Sequence, residues 1–160
     1  MSEFRKVDAN VAESQQGFTV SAGNGVEYVE NGVVTKIDVE HAPHGVVVLY
    51  LRTRGPRALP DGARIYGNVA RALDYLGWQP ELWVNGEPSR ELGLAPNSPE
   101  TAPRDGRFIW CLFREDTLGE TTYWAVSWDK VGGGWATRLG GFVGPSWRME
   151  GWGPEVRPGA

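Results

Sequence analysis

Two histidines, one cysteine, a trio of arginines and a trio of carboxylates are the side chains of this 160-residue chain best suited to ligate, react or grip a charged group. His41 and His44 flank Pro43. Two imidazoles three residues apart can share a metal, but a closed site needs further donors, and only Asp38 and Glu40 are near in sequence. A solvated turn is the better reading. Cys111 sits inside an apolar run, whereas a reactive thiol needs partial exposure and a nearby base or positive charge. Arg52, Arg54 and Arg57 follow an apolar strand and could hold a phosphate or an acidic partner. Glu115, Asp116 and Glu120 surround a turn. Paired carboxylates can hydrolyse glycosides, but only across a suitable cleft, and acidic turns are common. Gly23-Asn24-Gly25 and Gly132-Gly133-Gly134 lack the strand–glycine–helix context of a phosphate loop. These groups define no catalytic set. The chain reads as a non-enzyme, and no cofactor or metal is expected.

The residue type that stands out is tryptophan. Six of the eight lie between positions 110 and 152: Trp110, Trp124, Trp128, Trp135, Trp147 and Trp152. An indole brings a large apolar body and one N–H donor, so it builds cores and binding surfaces and rarely makes or breaks bonds. Trp110, Trp124 and Trp128 fall on patterned strands and are expected in the core. Trp135, Trp147 and Trp152 are the binding candidates, with Arg52, Arg54 and Arg57. An indole at a surface serves as an interface anchor or as a platform for bases and sugars.

Composition narrows the function classes. The formal net charge is −4 and neither half carries a basic excess, which argues against non-specific nucleic-acid binding. No apolar run approaches membrane-spanning length, so no membrane association is expected. One cysteine cannot form an intrachain disulfide and suits a reducing compartment. The first ten residues are polar, without the apolar core of a signal peptide. A cytoplasmic location is the expectation.

The elements that would position these groups can be read from pattern. Residues 1–16 are polar and aperiodic, a flexible arm by this reading. Residues 17–85 read as an α+β subdomain. Its anchor is Asn31-Gly32, a strong two-residue hairpin signal, which pairs Tyr28 with Thr35, Glu27 with Lys36 and Val26 with Ile37. Val26, Tyr28, Val33, Thr35, Ile37 and Val39 then share a face. Val46 to Leu51 is apolar throughout, as in a central strand buried on both sides. A helix over 62–77 follows, with Asp61 as its N-cap, Ile65, Val69, Leu73 and Leu76 as its stripe, and Gly77 as its stop. Glu81 to Val84 forms a further short strand. Residues 86–106 are rich in proline and polar residues and read as a linker. Residues 107–160 read as a tryptophan-rich, mainly β subdomain. Its strands cover Arg107 to Arg114, Thr121 to Trp128, and short pieces at Trp135 to Leu139 and Phe142-Val143, before an irregular tail holding Trp147 and Trp152.

The span Asp105 to Pro158 resembles a small family of phage and prophage proteins of unknown function. The likeness rests on Gly106-Arg107 before an apolar strand, on Tyr123-Trp124-Ala125-Val126, and on Gly151-Trp152-Gly153-Pro154 near the end. In that family the last motif usually reads His-Trp-Met-Pro, so Gly151 and Gly153 are departures. The first half loosely resembles small immunity or accessory proteins built of hairpins and one helix. Together these resemblances imply a mobile-element accessory protein. The function expected is a protein-binding factor that covers a host or competing protein, as an anti-defence inhibitor or a toxin-neutralising partner. The alternative is a small-ligand binder that stacks a nucleotide or sugar on tryptophan and takes its phosphate with the arginines. Docking against a second copy of the chain would also suit the apolar content.

Overall fold

The computed structural model describes residues 3–52, 56, 58–85, 94–117, 121–137 and 141–155. The fold is α+β, with two largely antiparallel sheets and one helix between them. The first sheet is a five-stranded meander: β1 (Phe4–Asp8), β2 (Val11–Ser14), β3 (Phe18–Ala22), β4 (Val26–Glu30) and β5 (Val33–Ile37), in that order. The second contains β6 (Val39–His41), β7 (Val46–Arg52), β8 (Gln79–Asn85), β9 (Phe108–Glu115), β10 (Thr121–Asp129), β11 (Gly134–Thr137) and β12 (Trp147–Glu155). Its order is β12-β9-β10-β8-β7-β6, with β11 also paired to β10. Helix α1 (Gly62–Tyr75) joins β7 to β8, which pair in parallel. Parallel neighbours require such a crossover.

The β4–β5 hairpin has the expected register, from Glu30 opposite Val33 to Val26 opposite Ile37. Asn31 and Gly32 both take positive φ, 52° and 77°, as a turn that matches strand twist demands. Its apolar face is buried at Val26, Tyr28 and Ile37 but runs out at the tip, where Val33 is 64% exposed. Helix α1 touches β2 and β3 on one side and β7 and β8 on the other. A helix between two sheets must be apolar around most of its girth. Ile65, Val69 and Leu73 are buried, and so are Tyr66, Ala70 and Ala72.

The helix ends at Tyr75, two residues short of the expected 77, and Gly77 closes it at φ 96°. The N–H of Gly77 donates to Asp74 O at 3.1 Å and that of Trp78 to Leu73 O at 3.0 Å, the paired bonds of a Schellman cap. Asp61 holds the N-cap position in the left-handed region, but its side chain caps no backbone N–H. It accepts instead from Arg64 Nε at 2.7 Å.

A short polar seam crosses the helix–sheet contact. Asn68, 5% exposed, donates to the Tyr28 hydroxyl at 3.2 Å and accepts from Arg71. Arg71 Nε lies 3.7 Å from Glu3 Oε2. Buried polar side chains require such partners.

Four expectations are corrected by this architecture. Residues 4–14 of the supposed arm form β1 and β2, with Phe4 at 5.8 Å from the Phe18 ring and Ala12 fully buried. Two inward apolar residues on two short strands are too few to show a period. The division at 86–106 does not separate two subdomains. Leu82 pairs with Tyr123 across β8 and β10, and one continuous core runs from Phe4 to Ala125. Within the supposed linker, 86–93 lie outside the described residues, while Leu94 and Ala95 are buried and Pro99–Thr101 forms a 3-10 turn. The strands buried on both faces are β9, from Ile109 to Phe113, and the first part of β10, and not β7. In β7 only Val47, Leu49 and Leu51 are buried, while Val46 and Val48 on the opposite face are half-buried and Tyr50 is exposed.

Candidate functional site

Side chains alternate across a strand, so register assigns each residue of the second sheet to a face. Leu49, Leu82, Tyr123, Trp110 and Leu112 point toward α1 and are buried. Trp83 lies opposite Thr122, Trp124 opposite Cys111, and Trp152 also opposite Cys111, all on the outer face. Trp128 and Trp135 form a cross-strand pair on that face, and Trp147 lies opposite Glu115. Six of the eight tryptophans thus occupy one side of one sheet. All six are partly buried, and Trp124, Trp135, Trp147 and Trp152 pack over a small second core of Ile109, Cys111, Phe113 and Val126.

Two of the indole pairs meet edge to face, an arrangement their ring quadrupoles favour, and a third is tilted. Trp147 is the hub. Its centroid is 6.0 Å from Trp83 at 79° and 5.9 Å from Trp124. Trp124 meets Phe113 at 6.2 Å. Trp128 and Trp135 form a second pair at 5.1 Å, and the Arg104 guanidinium lies 4.3 Å above Trp128. Trp83 Nε1 donates to Glu81 at 3.3 Å and Trp152 Nε1 to Thr101 at 3.0 Å. Beside the Trp128–Trp135 pair, Val131 is 99% and Phe142 53% exposed, so the hairpin end presents bare apolar surface.

Expected binding residues Trp135, Trp147 and Trp152 are therefore brought onto one face. The tail that holds Trp147 and Trp152 is strand β12, and not irregular. Its register slips twice, between Met149 and Gly151 and between Trp152 and Glu155, which erases the period-two signal. Residues 95–97 lie across it, with Asn97 and Trp152 exchanging backbone bonds at 3.0 and 3.1 Å. Gly151 is required there because a Cβ would strike the Ala95 carbonyl oxygen. Gly153 takes φ 119°, where other residues are strained.

Sequence reasoning missed Trp83. The alternation of Leu82 and Val84 with Glu81 and Trp83 held the signal, but only pairing with β10 shows that this face meets the other indoles. Trp110 takes the opposite fate. It is 2% exposed on the inner face, stacked on Tyr123 at 5.0 Å. Tyr123 is fully buried, which pushes its pKa up to about 12 despite the nearby Arg71 charge, and its O–H donates to Gly153 O at 3.0 Å.

Among the described reactive candidates, Cys111 lies beneath this face and Asp116 at its margin, while His41 sits on the far edge strand β6. Cys111 is buried, and desolvation pushes its thiol far above the ordinary range, so it stays protonated. His41 packs edge-on against Trp78 at 5.5 Å, while His44 takes φ 65° in its turn. Among the described residues no three His, Cys, Asp or Glu side chains cluster as a metal site. Asp116 pairs with Arg148 at 2.7 Å, and Glu120 lies outside the described residues. Arg54 and Arg57 also lie outside them. Arg52 ends β7 and lines a separate cavity whose described lining contains no tryptophan. No described helix is long and apolar enough to cross a membrane. Comparisons with protein-family models, curated proteins and solved structures find no match.

Proposed function

We propose that the protein is a non-enzymatic binding factor that docks on another protein through the outer face of its second sheet. The observation that carries this reading is the array of six partly buried indoles, with exposed Val131 and Phe142 at its margin. Aromatic anchors with mixed polar margins are the composition of protein interfaces. The charges around it are mixed in sign: Glu81, Arg104, and the Arg148–Asp116 pair. That mixture suits a protein surface better than a polyanion. An accessory role of the phage or prophage kind, as an anti-defence inhibitor or a toxin-neutralising protein, is the biological setting we attach to it.

The test is affinity capture from bacterial lysate with wild type and with the Trp128→Ala/Phe142→Ala variant, each checked for unchanged far-UV circular dichroism. A partner retained by wild type and lost by the variant is expected. Identical capture by both removes the face from the function. The rival reading, one ligand site combining indole stacking with the arginine cluster, draws less support, because Arg52 lines a cavity apart from the indoles.

A further inference from the structure

We propose that the corner where β5 passes into β6 binds the oxyanion of a small organic molecule, a phosphate ester or a carboxylate with an apolar body. This site is separate from the indole face and does not rest on the docking reading. A cavity of about 200 Å³ opens at this corner. Its walls supply two cations, Lys36 and Arg52, two phenols, Tyr50 and Tyr66, one carboxylate, Asp38, and the apolar side chain of Leu59.

The donors outnumber the acceptors. Among the described residues Arg52 meets Asp38 alone and only loosely, with Nε 3.9 Å from Oδ2, so that within this set the terminal nitrogens of the guanidinium face the cavity without a carboxylate bonded to them. Tyr66 is 6% exposed, and its oxygen accepts the Asp38 N–H at 3.0 Å. That bond uses a lone pair and leaves the Tyr66 O–H to donate. Lys36 adds a second positive charge. Tyr50 already donates to Glu40 at 2.7 Å, so it contributes its ring as an apolar wall. Asp38 and Glu40 are the resident anions, and an incoming oxyanion must share Arg52 with the first of them. Affinity is accordingly modest.

The position in the fold agrees with the chemistry. Arg52 is the last residue of β7, the strand that feeds α1 in the parallel β7–α1–β8 unit. The crevice beyond the carboxyl end of such a strand is where α/β units take their ligands. The first turn of α1 abuts this wall: a Cβ at Gly62 would come within 2.9 Å of Leu51 and 3.3 Å of Leu59, both of which line the cavity.

The experiment is a thermal-shift and calorimetric titration of the full chain with inorganic phosphate, phenyl phosphate, benzoate and phenethylamine. We expect phenyl phosphate to raise Tm in a saturable way and to bind more tightly than inorganic phosphate. A matching response to benzoate would assign a general oxyanion site, and its absence would narrow the ligand to phosphate esters. In Arg52→Gln/Lys36→Gln the dissociation constant should weaken by about tenfold or more. In Trp147→Ala it should not change. Tyr66→Phe, read by its own ligand-free Tm, should weaken binding less than the double variant. The proposal is overturned if no oxyanion binds, if the double variant binds as wild type does, or if the amine alone binds.

Discussion

The two faces of the second sheet use the same kind of residue to different ends. On the inner face Trp110 is sealed between strand and helix and stacks on Tyr123. On the outer face six indoles, five of them in contact with another indole, keep part of each ring accessible, because a few loop residues replace a full layer. What an indole does here is set by the layer above it. A covered ring contributes cohesion, and a half-covered ring remains available to a partner.

Removing a covered ring should hurt most. Trp110→Ala is expected to cost about 3–5 kcal/mol, the range for emptying a large aromatic site in a core. Urea unfolding measures it. Trp147→Ala should cost less, about 1–2 kcal/mol, because its burial is partial. Equal losses at the two positions would break the comparison, since the outer face would then be core. Polar contacts sharpen the same contrast. Tyr123→Phe deletes a buried bond to Gly153 O and should cost about 1 kcal/mol in the same assay.

The smallest effect is expected at the exposed Arg64–Glu30 pair, where Arg64→Ala should cost about 0.2–1 kcal/mol. Its signature is in pH. The Arg64 hydrogen bonds hold the Glu30 carboxyl below its usual pKa. A folded pKa below the unfolded one stabilises the fold at neutral pH, and that contribution is lost as pH falls through the folded value. The Tm gap between wild type and Arg64→Ala should therefore narrow on acidification. A gap independent of pH would mean that the pair acts by packing alone.

Local chemistry was legible in the sequence wherever one turn or one face decided the outcome. Asn31-Gly32 set the β4–β5 register, and Gly77 set the end of α1 within two residues. The alternation in β10 separated Trp124 and Val126 from Tyr123 and Ala125. Strand β12 was not legible, because its two slips cancel the alternation that identifies a strand. Neither were β1 and β2, where Phe4 is the one large buried residue and Ala12 and Ser14 fill the other buried positions. Arg52 was singled out as a potential binding residue, but Tyr66 and Lys36 could not be joined to it, because they come from the helix and the first sheet.

The amino-acid sequence by itself determined the α+β class, the central hairpin, the helix and an abundance of indoles. These depend on residues close along the chain, where backbone geometry and side-chain period act directly. Only the tertiary structure decided that β8 and β10 share a sheet, that Trp83 joins the C-terminal indoles while Trp110 leaves them, and that Arg52 faces Tyr66. Those outcomes depend on long-range pairing, in which each strand's exposed face is fixed by the layer that comes to cover it.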